Sequence, residues 1–327
     1  MAKFILGNAH RNTAFNNALA RNILWFADLV FVGAVLGLFR VLPVTWGSAL
    51  GARVGRIFGR IAKQRTRHIR ANLSLALPDK SPAEIDLLAQ EVWENAGAVM
   101  AEYPNLPAFG DPRLDRLEIE GDEHISADQT PGRPVVFVAA HLANWEVIGA
   151  AITRMGIPSC AMYAPLSNPW LDRKMRSYRN ALGCQLISRD AGLRGFLDAL
   201  KAGKSPIIIT DRRIEGGKQI PLFGEDKESS ILPARLALRF GVPLVPVQAM
   251  RLPGARFRVR FHAPLHPRDP EADRDDQAVD LAHQVNDKFE QWITARPGEW
   301  LCTSKIWPSA VLQAKTDIYT EVRRAAE

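Results

Sequence analysis

The stretch Pro134-Val135-Val136-Phe137-Val138-Ala139-Ala140-His141-Leu142-Ala143-Asn144-Trp145-Glu146 decides the fold. Its apolar run, Pro134 to Ala139, has no polar alternation, the mark of a strand covered on both faces, as in parallel sheets between helix layers. The run ends on an imidazole, His141, and reopens as a helix carrying a carboxylate, Glu146. Open α/β sheets bind ligands beyond the carboxyl ends of their strands, so a titratable ring at that end faces a crevice. The H-x4-E spacing allows the carboxylate to fold back from the first helical turn and hold the ring's tautomer, which makes a catalytic dyad of His141 and Glu146. A glutamate in a first helical turn is also favoured by the helix dipole without doing any chemistry, and Asn144 suits the cap of that helix.

Outward from this stretch, strands and helices alternate. Strands are expected at Pro134 to Ala139, Ser159 to Tyr163, Gln185 to Ser188, Pro206 to Thr210, Val242 to Ala249 and Phe257 to Phe261. Helices are expected at Val147 to Met155, Leu171 to Leu182, Leu193 to Ala202 and Leu232 to Phe240, with Gly203 and Gly241 just past two of them, where a left-handed cap favours glycine. The fold class is therefore α/β, a mostly buried central sheet flanked by helices. The charged segment Arg268 to Gln277 reads as a solvated loop. Upstream, Ser81-Pro-Ala-Glu84 opens a helix with a capping box, and Ile85, Leu88, Val92 and Ala96 form its apolar face.

The N-terminal region has a different character. Ile23 to Phe39 is seventeen residues, nearly all apolar and interrupted by Asp28. That is the short limit for a membrane-crossing helix, and Asp28 is costly in lipid, which keeps a buried core helix in play. A charged stretch precedes the run and no small-residue cleavage site closely follows, so a retained anchor is expected in preference to a cleaved signal. Arg53, Arg56, Arg60, Lys63, Arg65, Arg67 and Arg70 crowd the next segment, which by the positive-inside rule puts the body on the cytoplasmic side. The division is residues 1–43 as membrane anchor, 44–112 as a helical segment packing on the body, and 113–327 as the α/β domain.

Composition narrows the function classes. The 327 residues are 47% hydrophobic and 24% charged, a folded chain with one large core or two modest ones. A net charge of +7 implies an anionic partner: nucleic acid, a phosphorylated substrate or a membrane surface. The basic run Arg60 to Arg70 lacks interleaved aromatics for base stacking, so no nucleic acid is expected and a lipid surface is favoured. Cys160, Cys184 and Cys302 lie far apart with no C-x-x-C pair, against a disulfide framework or zinc site and in favour of a reducing compartment. His262 and His266 have metal-ligand spacing, but Pro264 between them forbids the helix that would align them, and no metal is expected. Gly203-Lys204-Ser205 lacks the upstream glycine of a phosphate loop and sits after a helix, the reverse of that motif's order. There is no G-x-S-x-G elbow, so direct attack is favoured over an acyl-enzyme. Three polar groups, His141, Arg189 and Asp211, fall at or just after strand ends and are expected to converge on one crevice.

With these features in place, the chain resembles the lipid A late acyltransferase family. The likeness is carried by the N-terminal anchor, Arg67-His-Ile-Arg-Ala-Asn-Leu73 followed by Pro78, the helix ending in Glu102, and the His141/Glu146 pair. It continues through Arg179-Asn-Ala-Leu-Gly183, Ile208-Ile-Thr-Asp211, Pro221-Leu-Phe-Gly224, and Ala234-Arg-Leu-Ala237 leading into Pro243-Leu-Val-Pro246. Two departures stand out: Asp211 is followed by Arg212 where the family usually has Asp-Gln, and Glu299 to Trp307 lacks the usual paired arginines. The resemblance implies transfer of a fatty acyl chain from acyl carrier protein to a hydroxyl of a phosphorylated glycolipid, a lipid A precursor, at the cytoplasmic face of the inner membrane, without a cofactor. On that reading His141 deprotonates the hydroxyl, Glu146 holds the imidazole, and Arg179, or failing it Arg189, steadies the oxyanion or an acceptor phosphate, with Asp211 orienting that arginine. An imidazole, with an ordinary pKa near 6.5, suits the task, and such a base contributes roughly 100- to 10,000-fold. Transfer to another glycolipid or a lysophospholipid, and a non-catalytic membrane-tethered lipid-binding protein, remain open on the same residues.

Overall fold

The computed structural model describes residues 17–126 and 133–315. Residues 1–16, most of the polar, basic N-terminal stretch, lie outside the described residues. The chain opens with four long helices: α1 (Ala18–Val41), α2 (Val44–Ile61), α3 (Lys63–Ala76) and α4 (Pro82–Glu102). Asn17 caps α1 by accepting from the Leu19 and Ala20 amides, and Pro43 separates α1 from α2. Ser81 and Glu84 form the expected capping box on α4. Among the described residues α1 is the one helix long and apolar enough to cross a membrane. It is two-sided: Leu19, Ile23, Phe26, Val30, Leu38 and Val41 are exposed, whereas Asp28, Leu36 and Phe39 are buried against the body. The acidic residue in the apolar run thus lies on the protein side of the helix.

Helices α2 and α4 pack backbone to backbone because glycines recur every fourth residue on one face of α2. A Cβ on Gly51 would stand 2.4 Å from the Ala101 Cβ, one on Gly55 would stand 2.1 Å from the Trp93 carbonyl, and one on Gly97 of α4 would stand 2.1 Å from the Gly51 carbonyl. No side chain fits at that crossing, and its geometry fixes the rotation of α2 about its own axis.

The α/β part follows as α5 (Leu106–Gly110), β1 (Leu117–Glu120), α6 (Glu123–Ser126), β2 (Val136–Ala139), α7 (Val147–Arg154), β3 (Ser159–Tyr163), α8 (Pro169–Asn180), β4 (Gln185–Ser188), α9 (Gly192–Lys201) and β5 (Ser205–Ile209). After it come the hairpin β6 (Lys218–Leu222) and β7 (Glu225–Ser229), then α10 (Leu232–Phe240), β8 (Leu244–Leu252), β9 (Arg256–Phe261), α11 (Arg274–Ala295) and α12 (Ser309–Lys315). Seven strands form one sheet in the order β1-β9-β8-β2-β5-β3-β4. Its pairs are parallel except the antiparallel β8–β9 pair near one edge. Strand β2 is central and buried on both faces, as its sequence requires: Val136 and Val138 enter one hydrophobic cluster, Phe137 and Ala139 the other.

The six expected strands and four expected helices of this part are present, with ends displaced by up to three residues. Gly203 and Gly241 adopt φ values of +74° and +60°. β1, the β6–β7 hairpin and α11 are additions that the alternating sequence pattern does not announce. Strand β1 is four residues with two carboxylates, and it holds its place by pairing with β9, where Glu118 and Glu120 face Arg256, Arg258 and Arg260. The segment read as a loop from Arg268 to Gln277 is corrected at Asp273, whose side chain accepts from the Asp275 and Asp276 amides and starts a helix one residue later.

Candidate active site

The register of β2 on β5 builds the site. Ala139 pairs with Ile209, so the residues two further along each strand, His141 and Asp211, emerge side by side at the carboxyl edge of the sheet. His141 Nδ1 lies 2.7 Å from Asp211 Oδ1, and the other carboxylate oxygen accepts from the Trp300 indole N–H at 3.0 Å. The Asp211 side chain is wholly buried and that of His141 is 16% exposed. An ionised carboxylate only accepts, so Nδ1 carries the proton and Nε2 presents its lone pair, the form a general base needs. Trp145 stands edge-on to the imidazole at 5.0 Å between ring centroids.

Burial opposes the charged form of Asp211. Electrostatic attraction to the His141 ring and its hydrogen bond, the Arg212 guanidinium and the Trp300 N–H together outweigh that cost and hold the carboxyl well below the usual range.

The loop carrying His141 is fixed from two sides. Ala143 adopts φ +49°, a left-handed conformation that costs a non-glycine residue about 1–2 kcal/mol. Its N–H donates to the Glu299 carbonyl and its carbonyl accepts from Asn95, while the Leu301 N–H donates to the His141 carbonyl at 2.9 Å. Below the loop, the buried Glu102 accepts from Ser48 at 2.6 Å, from Asn144 at 2.9 Å and from Arg251, whose Nε donates to Asn95 at 3.0 Å.

Glu146 does not hold the imidazole. It precedes the first residue of α7, and its carboxylate is taken by Arg179, whose Nε lies 3.0 Å from both oxygens, and by the Tyr103 hydroxyl. Arg179 Nη2 also donates to the Tyr103 oxygen at 2.6 Å. Burial works against the Arg179 charge, but the Glu146 carboxylate reverses the balance and keeps it protonated. Burial and the neighbouring Glu146 charge raise the Tyr103 phenol well above its usual range.

The expected pairing is corrected on two counts: Asp211 orients His141 instead of an arginine, and Glu146 orients Arg179 instead of His141. The physical reason is the sheet. Parallel pairing sets residue 211 beside residue 141, whereas the turn through Ala143 and Asn144 directs residue 146 toward α8. Arg189 is also corrected: it is exposed at the end of β4, the outermost strand, two places from β5, and does not join the crevice. Tyr103, Trp300 and the Glu102 network were not singled out for the site; of these, only the C-terminal tryptophan segment and the helix ending at Glu102 left a signal in the sequence.

A buried lysine completes the floor. Lys227 on β7 donates to the Thr210 carbonyl at 3.2 Å and the Asp211 carbonyl at 3.1 Å, which fixes the backbone that carries the carboxylate. Burial pushes its ammonium down to about 8, against the pull of Asp211. The native lysine therefore binds fewer protons than the unfolded one between about 8 and its ordinary 10.5, and its contribution to stability rises with pH across that window. The rise is roughly 3 kcal/mol at about 1.4 kcal/mol per pH unit. In Lys227→Met that rise should vanish, so chemical unfolding at the two ends of the window should show a smaller stability difference than in the parent; an unchanged difference would refute the assignment.

Comparison with known proteins adds a second, independent line. A family model described as bacterial lipid A biosynthesis acyltransferase matches residues 13–308. The chain is 24% identical over 283 residues to the lipid A biosynthesis myristoyltransferase of Escherichia coli (strain K12), covering 84% of each chain. It is 22% identical over 299 residues to the lipid A biosynthesis acyltransferase of Haemophilus influenzae, covering 87% of this chain and 89% of that one. It is 25% identical over 264 residues to the phosphatidylinositol mannoside acyltransferase of Mycolicibacterium smegmatis, covering 77% and 84%.

Proposed function

Since the chain belongs to the bacterial lipid A biosynthesis acyltransferase family, we propose that it moves a fatty acyl group from acyl carrier protein to a hydroxyl of a phosphorylated lipid A precursor at the cytoplasmic face of the inner membrane. The observation that carries the chemistry is the Asp211–His141 contact of 2.7 Å at adjacent strand ends, with the Trp300 N–H on the far oxygen. His141 Nε2 takes the proton of the acceptor hydroxyl as its oxygen attacks the thioester carbonyl. The tetrahedral oxyanion then collapses, the carbon–sulfur bond breaks, and the imidazolium returns the proton to the leaving thiolate. Asp211 holds the ring and balances the imidazolium charge.

Arg179 commits Nε and Nη2 to Glu146 and Tyr103. Its Nη1, which has no partner among the described residues, is left for an anionic oxygen, either the developing oxyanion or an acceptor phosphate. Glu146 thus belongs to the site as the group that aims Arg179. Arg189 is the weaker choice for this task, being exposed at the sheet edge.

Residues 1–43 serve as the membrane anchor, 44–112 as the helical segment on which the body rests, and 113–327 as the catalytic part. α1 is joined directly to the elements that carry the site: Asn168, which caps α8, donates to the Trp25 carbonyl, and Arg40 donates to the Pro104 carbonyl beside Tyr103. This supports a crevice held next to lipid. A basic surface suits both an anionic leaflet and an acidic carrier protein.

Mass spectrometry of lipid A from cells lacking this protein should reveal a missing secondary acyl chain. The similarity to phosphatidylinositol mannoside acyltransferases favours, as the second reading, transfer to a different glycolipid, and an unchanged lipid A profile would select it. Purified protein carrying Glu146→Gln separates catalysis from lipid holding: turnover should fall with lipid binding retained, and full transfer activity would remove Glu146 and Arg179 from the reaction.

A further inference from the structure

We propose that α2 lies flat in the headgroup region of an anionic lipid bilayer, as a second membrane contact distinct from α1. The apolar residues Trp46, Leu50, Val54, Ile57, Phe58 and Ile61 recur at helical spacing along one side of α2 and are exposed, Trp46 at 69% and Ile61 at 72%. The adjoining side is consumed by the glycine contact with α4, and Phe58, at the boundary, stands edge-on to Trp93 of that helix. Because a Cβ at Gly51, Gly55 or Gly97 would overlap backbone or side-chain atoms across that crossing, α2 has no freedom to roll its apolar side onto the body. Among the described residues nothing covers that side.

Charge identifies the cover. At 100° per residue Arg53 and Arg60 fall beside the apolar stripe, on the flank away from the glycines, and both are exposed. Lys63 and Arg65 continue the cationic edge at the start of α3. An apolar stripe bordered by arginines, with a tryptophan in the first turn, is the chemistry of a helix lying at a phospholipid interface, with hydrocarbon below and phosphate alongside. A protein partner would have to match the same stripe without using phosphate oxygens, and α1, with its own exposed apolar residues, is separated from α2 by only two residues. The inference deepens the membrane part of the proposed function but needs no acyl transfer, so its test reads lipid contact and not turnover.

The native cysteines are buried, so an introduced one can be labelled selectively in the full chain. Val54→Cys and Ile57→Cys, each carrying an environment-sensitive nitrobenzoxadiazole label, would be reconstituted in vesicles containing phosphatidylglycerol, with Glu271→Cys on an exposed loop as reference. The labels at 54 and 57 should shift to the blue and be quenched by lipids spin-labelled just below the headgroup, while the label at 271 should be quenched only by aqueous iodide. Arg53→Gln with Arg60→Gln should weaken the preference of the 54 label for phosphatidylglycerol over phosphatidylcholine by about fivefold per cation removed. Iodide quenching at 54 and 57 equal to that at 271 would overturn the proposal. So would labels shielded from both iodide and lipid quenchers, which would mean that protein, such as a second copy of this chain, covers the face.

Discussion

Replacing Asp211 with asparagine should lower turnover by about a thousand- to ten-thousandfold while leaving the fold intact. The asparagine carbonyl oxygen can still accept from the Trp300 indole, so the buried side chain keeps one of its two partners. What is lost is the acceptor that holds a proton on His141 Nδ1. The amide offers an N–H there, which selects the opposite tautomer and leaves Nε2 protonated and unable to take a proton from the acceptor. Glu146→Gln, by contrast, leaves the base in place and loosens only Arg179, so its loss should be closer to tenfold. Turnover of the two purified variants decides between these assignments: a larger loss from the change at 146 than from the change at 211 would restore Glu146 as the partner of the base. The sign of the pH effect follows from the carboxyl being held below its ordinary value of 3.8. Asp211 adds stability in full above that value and loses it as pH falls further, so the stability that parent holds over Asp211→Asn should shrink as pH falls below about 4.

The largest stability effect is expected at Glu102. Its fully buried carboxylate gathers Ser48, Asn144 and Arg251 from three separate parts of the chain. Glu102→Ala leaves the Arg251 guanidinium, 20% exposed, without its countercharge, and strands two further donors. Breaking such a pair from one side costs about 3–5 kcal/mol. The same chemistry predicts that Glu102→Met combined with Arg251→Met costs less than Glu102→Ala alone, because the uncompensated charge is gone. Denaturant unfolding of the three proteins tests both statements, and a cost below about 1 kcal/mol for the single variant would mean that the network does not brace the loop. Because Asn144 is one of the partners, turnover should fall as well.

The apolar run ending at His141 was legible because a strand buried on both faces needs an uninterrupted apolar sequence, and Val136, Phe137 and Val138 supply it. The partner of His141 was not. Glu146 is five residues away and Asp211 seventy, and nothing in local spacing reveals that Ala139 and Ile209 are in register. Trp300 is more remote still, and reaches Asp211 only because residues 299–301 pair with the turn at 141–143. The short strand β1 escaped notice since its stability lies in cross-strand arginines more than a hundred residues downstream. α11 was obscured differently: its first turn is so charged that it resembles solvated chain, although Ala278, Leu281, Val285, Phe289 and Trp292 mark a buried helical face.

The pairing of residues 299–301 with the histidine turn bears on the order in which the molecule is made. A ribosome delivers His141 and Asp211 long before Trp300, so through most of translation the carboxylate lacks its indole and the turn lacks the amide of Leu301. The second partner of the carboxylate and the brace of the turn are in place only once residues 299–301 have docked, however early the sheet has formed.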